Sequence, residues 1–147
     1  MVSMIRESHD WEPLTHSECF ALLATVPVGR VVYSERAMPI VVPVNFSVVG
    51  SDVIVRTGRR SRLAMHAPGN VVAFEVDDID MASRSGWSVV LTGLIRLVRD
   101  PGELAQLHAL RLPAWGATEF DRYLALRPDV VSGRRIAGFS RPTALAR

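Results

Sequence analysis

Seven consecutive residues, Arg56-Thr57-Gly58-Arg59-Arg60-Ser61-Arg62, gather four arginines, two hydroxyl side chains and a glycine. A guanidinium is a planar fork of N–H donors that matches phosphate oxygens. Gly58 permits a tight turn, and Ser61 adds a hydroxyl donor. The β-branched run Val53-Ile54-Val55 precedes the segment, and a helix-compatible stretch from Arg59 to Ala67 follows it. Such a strand-to-helix junction points backbone N–H groups outward, and a helix start carries partial positive charge. The physical sum is an anion site best suited to a monoester phosphate. The same residues would also serve as a solvated basic turn; the junction between strand and helix tips the reading toward phosphate. It is not a Walker loop, since the long glycine spacing and terminal Lys-Ser/Thr are missing.

Two neighbouring features suit a flat polar ring. Pro43-Val44-Asn45-Phe46 is expected to run antiparallel beside Val53–Thr57, offering backbone donors and acceptors and the Asn45 amide. Trp87, after Ser83-Arg84-Ser85-Gly86, could stack on a ring or cover its edge. Core packing is the alternative for Trp87, and a ladder or turn role the alternative for Asn45.

Other reactive side chains point elsewhere. His9, His16, His66 and His108 are scattered without metal-ligand spacing, which argues against zinc. His66, beside the basic segment, reads first as a surface or packed histidine. Cys19 is the only cysteine and lies on the apolar side of a capped helix, where it acts as a small hydrophobe. No serine elbow for hydrolysis is present. Glu75, Asp77, Asp78 and Asp80 read as a solvated loop, with Glu75 paired to an arginine, rather than as a metal site. Arg134-Arg135 reads as a strand end with a second possibility of reaching a cofactor phosphate.

The chain that must position these groups has 147 residues, 48% of them hydrophobic and 22% charged. That suits one globular domain over 1–147, with 1–10 and 138–147 as frayed tails. All 17 basic residues are arginine, and the net charge is only +2. Nucleic acid is not expected as a partner, because no aromatic residue interleaves with Arg56–Arg62. No apolar run is long enough for a membrane span, and the first ten residues lack the apolar block of a secretory signal. With a single cysteine, these features favour the cytoplasm.

Thr15 and Glu18 have capping-box spacing, with Leu14 as a staple, so a short helix is expected to end near Thr25. Strands are expected at Gly29–Tyr33, Pro39–Val49, Val53–Thr57, Val71–Asp77 and Trp87–Val98. The last begins near Arg122 and resumes after Pro128 to reach Ile136. Pro43 implies an edge or bulge. A helix over Arg59–Ala67 is expected to bury Leu63, Met65 and His66. Asp78–Gly86 reads as an exposed loop. Asp100 and Pro101 open a helix that runs to Leu110. Six strands with short helices and no β-α-β alternation imply a mainly β fold, a closed or nearly closed antiparallel barrel.

The order of Val28-Gly29-Arg30-Val31, Pro39–Phe46, Arg56-Thr57-Gly58 through Ser61-Arg62-Leu63, Val72–Asp77 and Ser85-Gly86-Trp87-Ser88-Val89 resembles the pyridoxamine 5′-phosphate oxidase-like proteins. These have the FMN-binding split-barrel fold, and the likeness is greatest to the nitroimidazole-resistance-like branch. The resemblance covers about residues 11–137 and rests on order and spacing. It implies a homodimer with FMN at the subunit interface. Arg56, Thr57, Ser61 and Arg62 would lie about the phosphate and ribityl chain. Pro43, Val44 and Asn45 would lie along the ring, with Trp87 approaching from the same or the partner subunit. Many relatives have lysine where Arg62 stands, and some take a deazaflavin or heme instead of FMN.

The leading expectation is a flavin-dependent oxidoreductase acting on a small electrophilic or redox-active molecule, since the cofactor carries the chemistry and no acid or base is demanded of the protein. A flavin-binding or sequestering module without turnover is the alternative.

Overall fold

Thr15 opens the first helix as its spacing requires: its Oγ1 accepts from the Glu18 backbone N–H at 3.2 Å and donates to the Glu18 carboxylate at 3.1 Å. In the computed structural model, which describes residues 11–113 and 121–136, this helix is α1 (His16–Leu23). The tails expected at 1–10 and 138–147 lie outside the described residues. The other elements are β1 (Trp11–Pro13), β2 (Val28–Glu35), β3 (Met38–Val49), β4 (Asp52–Thr57), α2 (Arg62–His66), β5 (Val71–Asp80), β6 (Ser85–Leu97), α3 (Pro101–Ala109) and β7 (Arg122–Ile136).

The strands pair antiparallel in the order β1-β7-β4-β3-β2-β5-β6, and β6 returns to β7. Six strands therefore close a ring, with the first half of β3 paired on one side only. The seventh strand, β1, adds to the far end of β7 through Trp11–Ile136 and its neighbours. It was not visible in the sequence: three exposed residues with one proline carry no alternation.

Alternation builds the core. Val31, Phe46, Val53, Val55, Phe74, Val76, Val89, Leu91, Leu124 and Leu126 point into the ring, each at most 6% exposed. α1 closes the ring against β7, where Gly133 is needed: a Cβ there would collide with the Cys19 Sγ and reach Leu14 Cδ1 at 3.1 Å. Outside the ring, α3 covers Ile54, Tyr123 and Ala125 with Leu107. Asp100 accepts from the Glu103 N–H at 2.9 Å and Pro101 stands in the first turn, as expected.

β2 runs to Glu35, two residues past the expected Tyr33, and two larger differences from the sequence reading follow. Asp78–Gly86 is not a loop: β5 runs to Asp80 and β6 starts at Ser85, with Asp78 paired to Trp87. Polarity there reports solvent, not the absence of ladder bonds, which any side chain tolerates. Only 81–84 turns, with Asp80 Oδ1 accepting from the Ala82 N–H at 2.9 Å. α2 is also shorter than expected, beginning at Arg62, and only its Leu63 is buried. Met65 is 65% exposed and His66 is exposed, because five residues give one turn and one inward position.

Candidate functional site

β4 ends at the barrel rim, and its alternation separates two of the basic segment's members. Thr57 follows Val53 and Val55 on the inner face, while Arg56 follows Ile54 on the outer face. At the rim, the Thr57 and Ser61 hydroxyls lie 2.8 Å apart. Ser61 Oγ accepts from the Ala64 N–H at 3.0 Å, so it caps α2 as well as facing Thr57. The Ser61 N–H is spent on the Gly58 carbonyl at 3.0 Å. With a helix of one turn, the dipole adds little; side chains must supply most of any anion grip.

Arg62 reaches solvent, its side chain 74% exposed, and Nη2 contacts Glu35 Oε1 at 3.1 Å. His66, one turn on, places Nε2 3.3 Å from the same oxygen. The hydrogen bond from Arg62 holds the Glu35 carboxyl below its usual range. Beneath it, Glu35 Oε2 and Tyr33 Oη are buried with no hydrogen-bond partner among the described residues. Burial, with the Glu35 charge second, pushes the Tyr33 phenol up. Neither residue was singled out from sequence. The available signal was periodicity: Val31, Tyr33 and Glu35 share the inward face of β2, where a carboxylate is out of place.

Arg56 is not on a solvent-reaching turn. Its Nε donates to Asp121 Oδ2 at 2.9 Å and its Nη1 to the Leu112 carbonyl at 2.9 Å. The guanidinium also lies 5.9 Å from the Tyr123 ring centroid. Of the four residues expected about a phosphate, Thr57 and Ser61 meet at the rim, Arg62 starts α2 beside them with its guanidinium on Glu35, and Arg56 faces outward against the α3 side.

Pro43 pairs with Arg30 of β2, and Val44 with Gly29. β4 pairs with β3 only from Phe46 to Val49, so Pro43 has the edge-like position its missing N–H requires. Val44 points inward and is 5% exposed; Asn45 is the buried polar residue of this stretch, 8% exposed. By alternation Pro43, Asn45 and Arg56 share the outer wall beside the rim.

Trp87 is 8% exposed and belongs to the core cluster. In the closed ring its strand lies three strands from β3 either way round. It lines a shallow groove of about 390 Å³ with Asp78, Asp80, Gly86, Arg135 and Ile136. Trp87 stands between Asp78 and Arg135 in the ladder. The ladder thus sets Trp87 with Asp78 and Arg135, on a strand that does not pair with β3.

The acidic group is divided as well. Glu75 is paired to an arginine, as expected: Arg30 Nη1 lies 3.1 Å from Glu75 Oε2 and 3.4 Å from Asp77 Oδ2 on the outer wall. Burial, then Asp77, pushes the Glu75 carboxyl up to about 7. Among the described residues no cluster of His, Cys, Asp or Glu is arranged to hold a metal.

The same scaffold recurs in known proteins. The chain is 41% identical over 133 residues to the uncharacterized protein Rv0080 of Mycobacterium tuberculosis, covering 87% of each. A solved structure described as the FAD binding protein from Mycobacterium smegmatis is 35% identical, with a TM-score of 0.79, over 88% of this chain and all of that one. The FAD and heme binding protein from the same organism shares the fold at 18% identity and a TM-score of 0.73, over 91% of this chain and 77% of that one. The family profile of pyridoxamine 5′-phosphate oxidase matches residues 15–135. A six-stranded split barrel and a match over most of the sequence lead to one conclusion: the chain belongs to the pyridoxamine 5′-phosphate oxidase family.

Proposed function

We propose that the protein binds FMN at the Thr57–Arg62 rim and acts as a flavin-dependent oxidoreductase on a small electrophilic or redox-active molecule. The observation that carries this reading is the rim itself, where the Thr57 and Ser61 hydroxyls meet and the next residue, Arg62, extends an exposed guanidinium. These groups fit a phosphate monoester, which takes hydroxyl donors and a charged fork together. From the rim, the outer wall at Pro43 and Asn45 would carry the ring, with Asn45 as the polar group that orients it. Val44 would support that strand from inside, and Arg56 would hold the wall beside it. The bound flavin would supply electron transfer; the chain's share is binding, orientation and exclusion of water.

We further infer a homodimer in the cytoplasm. Val41, Val32, Ala73, Thr92 and Val130 form a continuous row across five strands of the outer wall. Val41 and Val130 are each 58% exposed, and the adjacent pair Val71–Leu94 is also exposed. An apolar wall of this kind favours a partner surface. A second copy there would let Trp87 of one subunit approach the ring held by the other. Among the described residues no helix is long and apolar enough to cross a membrane.

Titration of the purified protein with FMN, read by flavin fluorescence, tests the reading. Saturable quenching with turnover of reduced nicotinamide and an acceptor is expected. Unchanged fluorescence would overturn it, and tight binding without turnover would leave a flavin-sequestering module. Mass identification of the cofactor released from cells separates FMN from FAD, deazaflavin and heme.

A further inference from the structure

We infer that Glu35 is a positioning residue that presents Arg62 to the phosphate; this rests on the FMN reading above. Glu35 closes β2, and its side chain is only 13% exposed, while that of Arg62 is 74% exposed. A long arginine at the start of a one-turn helix would otherwise sample many rotamers, and ordering it on ligand arrival costs affinity. The strand-borne carboxylate fixes it in advance.

The geometry of the pair leaves the guanidinium usable. Glu35 keeps Oε2 buried and offers Oε1 alone to α2. Contact is therefore single, through Arg62 Nη2, and not the two-point clasp that would occupy one whole edge of the fork. The remaining N–H groups of Arg62 stay available to an anion. Oε1 also meets His66 Nε2, so one carboxylate ties side chains four apart on α2 and fixes the turn itself.

A carboxylate near a phosphate could instead act by repulsion, and the two roles have opposite signs. Repulsion predicts that removing Glu35 tightens FMN. Positioning predicts that removal weakens it, and only for a ligand carrying the phosphate. Positioning prevails because the Glu35 charge is already matched by Arg62, and the phosphate would lie on the far side of the guanidinium, in water.

The experiment measures affinities for FMN and for riboflavin in wild type, Glu35→Ala, Glu35→Gln and Arg62→Ala. Glu35→Ala is expected to weaken FMN about fivefold to tenfold and leave riboflavin unchanged, with Glu35→Gln intermediate. In the Arg62→Ala background the Glu35 effect should vanish, as coupling through Arg62 demands. Tighter FMN binding in either Glu35 variant, unchanged affinity, or equal losses for FMN and riboflavin would each overturn the inference. Glu35→Gln keeps the shape of the mouth, so a folding defect confined to Glu35→Ala does not block the test. A wild type that ignores FMN overturns the functional reading first, and is told apart because it appears without any substitution.

Discussion

Arg56 Nε stands 2.9 Å from Asp121 Oδ2, and the Asp121 side chain is only 4% exposed. The pair joins the end of β4 to the start of β7 across Thr57–Arg122, and Arg56 Nη1 adds the Leu112 carbonyl. An arginine drawn from a basic phosphate-like segment is thus also a tie in the wall.

Arg56→Ala is therefore expected to cost stability before any ligand is added. Stripping a guanidinium from a nearly buried carboxylate and a carbonyl is worth about 2 kcal/mol. For a domain of this size the melting temperature should fall by roughly 5 °C. Thermal unfolding of the ligand-free protein checks this, and an unchanged midpoint would return Arg56 to the solvent.

Arg62→Ala should behave in the opposite way. Its ion pair with Glu35 is exposed on the arginine side, and such pairs contribute at most about 1 kcal/mol. Stability should barely move, while FMN affinity drops about thirtyfold from loss of a charge-assisted contact. Flavin fluorescence titration beside a melting curve separates the two arginines. A variant that keeps full FMN affinity would remove the phosphate from this rim.

What the sequence made legible follows from what each signal measures. The barrel was readable because β-branched runs such as Val31-Val32 and Val71-Val72, and the alternation of Val42, Val44 and Phe46, mark strands, and six such runs must close. The capped starts of α1 and α3 were readable because Thr15 and Asp100 act locally. β1 was not, because its pairing partner lies more than a hundred residues away in sequence and its own residues are exposed. At the site, composition found the rim but not its division. Whether Arg56 and Thr57 face one ligand depends on strand phase, and the partner that holds Arg56 comes from Asp121, far along the chain. Glu35 was missed because a lone glutamate at a strand end looks like the start of a turn.

The Arg30–Glu75–Asp77 cluster sets a pH dependence. Burial, then the neighbouring Asp77, pushes the Glu75 carboxyl up to about 7 in the fold from an ordinary value of 4.5. A folded-state value raised above the unfolded one means stability present below about pH 4.5 and lost as pH rises through 7. Glu75→Gln should remove that loss, stabilising the protein at pH 8 relative to pH 5.5. With a quarter of the side chain exposed, solvent screens the effect to about 1 kcal/mol. Urea unfolding at the two pH values measures it, and parallel wild-type and variant profiles would contradict it.

The outer wall supplies the last test. Val41 sits on β3 two residues before Pro43, in the row that continues through Val32, Ala73 and Thr92 to Val130. If two copies bury this row, Val41→Asp places a charge in a dry contact and should convert a dimer to a monomer in sedimentation velocity. The barrel itself should survive, because Val41 points away from the core and is 58% exposed. The ring of the flavin would lie beside this wall, so the monomer should also lose most of its FMN affinity and any change in Trp87 fluorescence on binding. A wild type that sediments as a monomer while holding a full complement of FMN would confine the site to one chain. Trp87, with β2 and β5 between its strand and β3, would then return to the core.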